Sequence, residues 1–137
     1  MCFKGKMDEF EVSNSYMAAQ LVKVCDDVFL NDNFYYYVSL EDWGKVLFDA
    51  SRNLPKYTVE KFDCDKFSRL VRCRVNSVNQ INGIGEVLGF PPPSWNYNGT
   101  HKWNIFFSNH GLYYFEPQDG DFRPVTEGEY IPLRIDF

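Results

Sequence analysis

An α+β domain is the architecture this sequence predicts. Apolar residues recur at helical spacing through the first half, and aromatic runs around a turn signal fill the last third. The chain has 137 residues, 45% hydrophobic and 18% aromatic, and no repeat or low-complexity linker interrupts it. That is enough to bury a core within a single domain spanning residues 1–137.

The elements follow in order. Ser13 caps a first helix whose apolar positions are Met17, Leu21, Val24 and Val28. "NDNFYYYVS" reads as a short strand or an extended connection. Ser39, with Asp42 three positions on, opens a second helix carrying Trp43, Val46, Leu47, Ala50 and Leu54, and Pro55 stops it. The third helix runs from residue 64 to about 78. It buries Phe67, Leu70, Val71, Val75 and Val78 and turns Arg69, Arg72 and Arg74 to solvent; Asp63 is its N-cap carboxylate. Residues 82–100, rich in Gly, Pro and Asn, read as a long irregular loop. "HKWNIFFS" and "LYYFEPQ" form a hairpin about "NHG", and "EYIPLRIDF" adds a strand that Pro132 keeps near an edge.

Several function classes fall away. A net charge of −5 gives no general attraction to nucleic acid. No run is long and apolar enough for a bilayer, and the first residues lack the apolar stretch of a signal peptide, so a cytoplasmic location is expected. The four cysteines, Cys2, Cys25, Cys64 and Cys73, form no C-x-x-C pair and read as free thiols. Gly83, Gly85 and Gly89 are followed by no G-K-[ST], so phosphate binding is not indicated.

Chemistry concentrates at Cys64. A cysteine in the first turn of a helix feels the helix dipole, and an imidazolium nearby would favour its thiolate further. Asp63 and Asp65 oppose this by like charge. His110 belongs to the hairpin turn, whereas His101 opens an aromatic strand at the end of the loop, a place where functional groups collect.

"FDCDKFS", "HKWNIFF" and "YYFEPQ", in that order, resemble a group of papain-like cysteine peptidase domains. Its best-known member is the C-terminal domain of the Marasmius oreades agglutinin, and stand-alone bacterial and phage relatives exist. The likeness covers roughly residues 57 to 120. It implies a papain-like fold, with N-terminal helices followed by a small antiparallel β-sheet, and peptide or amide hydrolysis with Cys64 as nucleophile and His101 as its base. It also implies calcium activation, with Asp63 and Asp65 as acidic ligands. The sugar-binding β-trefoil of the agglutinin has no counterpart here in length or repeats.

The resemblance leaves Glu116 and Gln118 open as the group that orients His101. An ideal hairpin setting Asn109 opposite Leu112 places Ile105 opposite Glu116 and Trp103 opposite Gln118. Glu116 is then about 13 Å along the strand from His101, while Gln118 is one diagonal away. Geometry favours Gln118 unless a bulge beside Pro117 brings Glu116 closer. The alternative function is a scaffold without turnover that occludes a protein partner, as a phage or bacterial inhibitor would, using loop aromatics such as Trp95 and Tyr97. In either case the partner is a peptide or protein.

Overall fold

The computed structural model describes residues 6–60, 63–92, 99–125 and 130–137. Trp95 and Tyr97 lie outside the described residues. Strands lead and dominate. In chain order the elements are β1 (Glu9–Ser13), α1 (Asn14–Leu21), β2 (Val28–Phe29), β3 (Phe34–Val38), α2 (Leu40–Ala50), α3 (Cys64–Arg74), a π-helical turn (Val75–Asn79), β4 (Ile84–Phe90), β5 (His101–Ser108), β6 (Gly111–Glu116), β7 (Asp121–Pro124) and β8 (Ile131–Asp136). The expected papain-like order of helices followed by a small antiparallel sheet is therefore corrected. β1 precedes the first helix and pairs antiparallel with β3, and the main sheet is six-stranded and mixed, in the order β2-β8-β4-β5-β6-β7.

β5 is the centre of the molecule. Every residue of it except Lys102 is buried, so it carries core on both faces. One face sets Trp103, Ile105 and Phe107 with Val87 and Tyr114 against Met17, Leu21, Tyr35 and Ile135. The other sets Phe106 with Ile84 and Phe115 against Trp43, Val46 and Leu47 of α2 and Val71 of α3. The Trp43 indole N–H donates to the Phe107 carbonyl at 2.7 Å, which pins α2 to the strand. Both expected serine caps form: Ser13 accepts from the Tyr16 amide and Ser39 from the Asp42 amide, each at 3.2 Å.

The first helix is shorter than its apolar spacing predicts. The Val24 and Cys25 amides both return to the Leu21 carbonyl, and Val28 passes into β2. The third helix holds α geometry to Arg74, widens into the π turn and stops at Gln80 in the left-handed region, φ 56°. Two of its arginines are not merely solvated. Arg72 bonds Glu86 at 3.1 Å, and Arg74 donates to the Ala50 and Arg52 carbonyls at the end of α2.

The largest local departure is residues 84–90, expected as irregular loop. "IGEVLGF" is instead β4, paired with β5 on one side and β8 on the other. Its glycines serve backbone approach: a Cβ on Gly85 would lie 2.2 Å from the Asp136 carbonyl oxygen, and one on Gly89 2.4 Å from that of Ile131. β8 is also not an edge over its whole length, because β2 covers it at Ile135 and Asp136. No described helix is long and apolar enough to cross a membrane.

Gly85→Ala should therefore force β4 and β8 apart. A loss of about 2–3 kcal/mol in denaturant unfolding is expected, against about 1 kcal/mol for removing the cap in Ser39→Ala.

Candidate active site

Cys64 is the first residue of α3, half-buried, and its amide is among those at a helix start that have no intrahelical acceptor. Asp63 occupies the N-cap position but its carboxylate does not cap; only its carbonyl does, accepting from the Lys66 and Phe67 amides. The thiol lies close enough to the His101 imidazole and the Lys102 backbone for both to act on its proton. His101 is fully buried at the start of β5, where its backbone pairs with Gly89.

The other side of the imidazole meets Glu116. His101 Nε2 and Glu116 Oε2 lie 2.6 Å apart, both side chains buried, while Glu116 Oε1 accepts from the Gln118 amide at 3.2 Å. This differs from the geometric expectation that favoured Gln118. The hairpin turn is centred one residue earlier than assumed: Ser108 pairs with Gly111 and Ile105 with Tyr114, a register slip of two residues that keeps every side chain on its expected face. Continued in that register, Glu116 sits one diagonal from His101, the relation assumed for Gln118. Gln118 enters the site through its backbone, as a donor that orients the carboxylate. His110 lies in the exposed turn, away from these groups.

The electrostatics of the pair are mutual. Burial works against a charged imidazole, but hydrogen bonds to Cys64 and Glu116 and the charges of both outweigh it, raising His101 from 6.5 to about 9. The imidazole in turn lowers the Cys64 thiol below its ordinary value, against burial, with the Lys102 backbone assisting. Opposition from Asp63 is the smallest of these effects. Nε2 is engaged by Glu116, which leaves Nδ1 as the second ring nitrogen for proton exchange. Both shifts move the pair towards thiolate and imidazolium.

The aspartates expected as calcium ligands have another occupation. The Lys66 ammonium lies 3.0 Å from Asp63 Oδ1 and 3.2 Å from Asp65 Oδ1. Hydrogen bonds to Asp65 and Lys66 hold the Asp63 carboxyl below its usual value. Calcium takes six to eight oxygen ligands. Here the two carboxylates already hold an internal cation, and no group of three or more His, Cys, Asp or Glu that could hold a metal occurs among the described residues. As arranged, these residues do not fit a calcium cage. Cys25 and Cys73 are free thiols elsewhere, Cys25 buried and Cys73 exposed on α3.

Residues that sequence reasoning passed over hold the two halves together. Asn104 on β5, fully buried, donates through Nδ2 to the Ser68 carbonyl of α3 at 2.9 Å and to the Gly85 carbonyl of β4 at 3.1 Å. One turn after Cys64, the Ser68 hydroxyl approaches Glu86 at 3.5 Å, and Arg72 closes that network. The signal was present in the sequence: Asn104 and Glu86 are polar residues inside apolar strand runs, where an unpaired polar group would be costly.

No protein-family pattern and no curated relative matches the chain. Solved structures do. A complex of PSL1a with E64 superposes with a TM-score of 0.70 at 23% identity, over 93% of this chain and 51% of that one. Polyporus squamosus lectin, bound to the human-type influenza-binding epitope Neu5Acα2-6Galβ1-4GlcNAc, gives 0.73 at 18% identity, over 93% and 49%. The chain shares its fold with these fungal lectin chains and spans about half their length. Both neighbours are lectins and neither is named as a protease, so assignment to a papain-like peptidase family is corrected to a relation in fold with the lectin.

The raised His101 value has a consequence for stability. The unfolded imidazole releases its proton near 6.5 and the folded one near 9, so its contribution is complete below 6.5 and is lost as pH rises through 9. In Glu116→Gln the deficit in melting temperature relative to the parent should be largest near pH 6 and shrink above pH 9. A deficit independent of pH would mean that Glu116 acts only by packing. Asn104→Leu should cost about 2–3 kcal/mol at every pH in denaturant melts, because it strands two carbonyls without altering a charge.

Proposed function

We propose that the chain catalyses thiol-dependent acyl transfer, most simply the hydrolysis of a peptide or amide bond. The observation that carries this reading is the buried His101–Glu116 pair acting on half-buried Cys64: a base, a carboxylate orienting it, and a nucleophile whose pKa the imidazole lowers. A buried carboxylate at 2.6 Å also stabilises the imidazolium that the mechanism requires.

The steps use these groups alone. The Cys64 thiolate attacks the carbonyl carbon, forming a C–S bond as the carbonyl electron pair moves onto oxygen. The Cys64 amide, with no intrahelical acceptor at the start of α3, would donate to that oxyanion. As the C–N bond breaks, His101 delivers the proton held on Nδ1 to the departing amine. His101 then takes a proton from water, the hydroxide formed attacks the thioester, and the C–S bond breaks to return the thiolate. A transferase would differ only in replacing water with another acceptor.

E64, the compound in the PSL1a complex, is a fitting probe. Its epoxide carbon would accept the Cys64 thiolate, and the opened oxygen would take a proton. Mass spectrometry should show one adduct on Cys64, and its rate of formation should rise at a pH below the ordinary thiol range. His101→Ala should slow the reaction by about 10²-fold or more and return the profile to that of a simple thiol. Peptide hydrolysis, once found, should be abolished in Cys64→Ala and decline above about pH 9 as His101 loses its proton. An unreactive Cys64 with an ordinary thiol profile would defeat the reading.

A further inference from the structure

Lys66 stands where the two charges flanking the nucleophile converge. Its ammonium lies 3.0 Å from Asp63 Oδ1 and 3.2 Å from Asp65 Oδ1, and an Arg69 guanidinium nitrogen lies 4.0 Å from Asp65 Oδ2. The two carboxylates on either side of Cys64 are thus met by two cations from the first two turns of α3. Their side chains are 24% and 31% exposed, so water screens these contacts only in part.

The Asp63 carboxylate supplies a second observation. An N-cap aspartate ordinarily accepts from a first-turn amide. Here that bond is absent, and Oδ1 accepts from Lys66 Nζ instead. The ammonium has outcompeted the cap, which leaves the helix start open to negative charge on sulfur or on a substrate oxygen.

We infer that Lys66 is a positioning residue for the acyl transfer, tying both flanking carboxylates so that neither bears unopposed on the negative charge that forms at the start of α3. The inference rests on the acyl-transfer reading and deepens it by naming what readies the site. A side chain of the same helix fills the place between the carboxylates that a divalent cation would take, so the reaction of Cys64 needs no calcium. Without the ammonium, Asp63 would return to the cap and two like charges would flank the thiolate unrelieved.

The test is the rate of E64 adduct formation on Cys64 at neutral pH, followed by mass spectrometry. Lys66→Met should slow it by about tenfold, and Lys66→Arg, which keeps the charge, should recover most of the loss. Adding Asp63→Ala to Lys66→Met should also restore part of the rate, because the released carboxylate is gone. A chelator, or calcium in excess, should leave the parent rate unchanged. The Lys66 side chain is 36% exposed, so the Met variant is expected to fold; its melting curve checks this, and Lys66→Gln replaces it if it does not. An unchanged rate in Lys66→Met, an equal loss in Lys66→Arg, no recovery in the double variant, or a parent rate that depends on calcium overturns the role of Lys66 while leaving the thiol chemistry standing. If Cys64 of the parent forms no adduct with or without calcium, the acyl-transfer reading fails first and the role of Lys66 with it.

Discussion

The contact between His101 and Glu116 is the constraint around which the site is arranged. β5 is buried on both faces, so an imidazole at its start has no water to share a proton with, and burial alone would leave it neutral. A carboxylate at 2.6 Å reverses that preference, and the reversal is what the thiol feels. Placing the carboxylate there demands a particular hairpin register. The register demands the tight turn after Ser108, whose hydroxyl accepts from the His110 amide and donates to the Gly111 carbonyl. Turn chemistry at one end of the hairpin thus sets proton affinity at the other.

The cysteine needs a second constraint, because it comes from a different layer. Its helix is positioned against β5 and β4 by the amide of Asn104 and by the Ser68–Glu86–Arg72 network. These groups sit under the helix rather than in the site. Lys66 completes the arrangement from outside: its ammonium meets the two aspartates flanking the nucleophile and offsets the like charge they would cast on a thiolate. The sequence "DCDK" therefore carries its own neutralisation, in a place where the family resemblance suggested a divalent cation.

What could be read from the sequence was local. Ser13 and Ser39 announce their helices through side-chain oxygens that bond within the next turn, and the Cys64-then-His101 order needs only two secondary-structure boundaries. Long-range facts were not legible. Gly83, Gly85 and Gly89 look like loop residues, because nothing nearby in the chain reveals that β3, for Gly83, and β8, for Gly85 and Gly89, come close enough to forbid a Cβ. "EFEVS" is too short to declare itself without its partner "FYYYV". The choice between Glu116 and Gln118 turned on a two-residue register, fixed by a turn whose type "NHG" alone does not specify. The fold class differs for the same reason: β4, whose pairing partners are remote, reads as loop, and β1 gives no signal of its own.

The position of β8 has a kinetic cost. It lies between β2 and β4, yet it is the last strand in the sequence. Until residues beyond 130 are available, β4 has an unpaired edge carrying glycines and apolar side chains, open to pairing with another chain. Such pairing between distant segments is slow, because loop closure must precede the contacts that reward it. During synthesis, the strand that bears the network under the helix would be the part of this protein most exposed to aggregation.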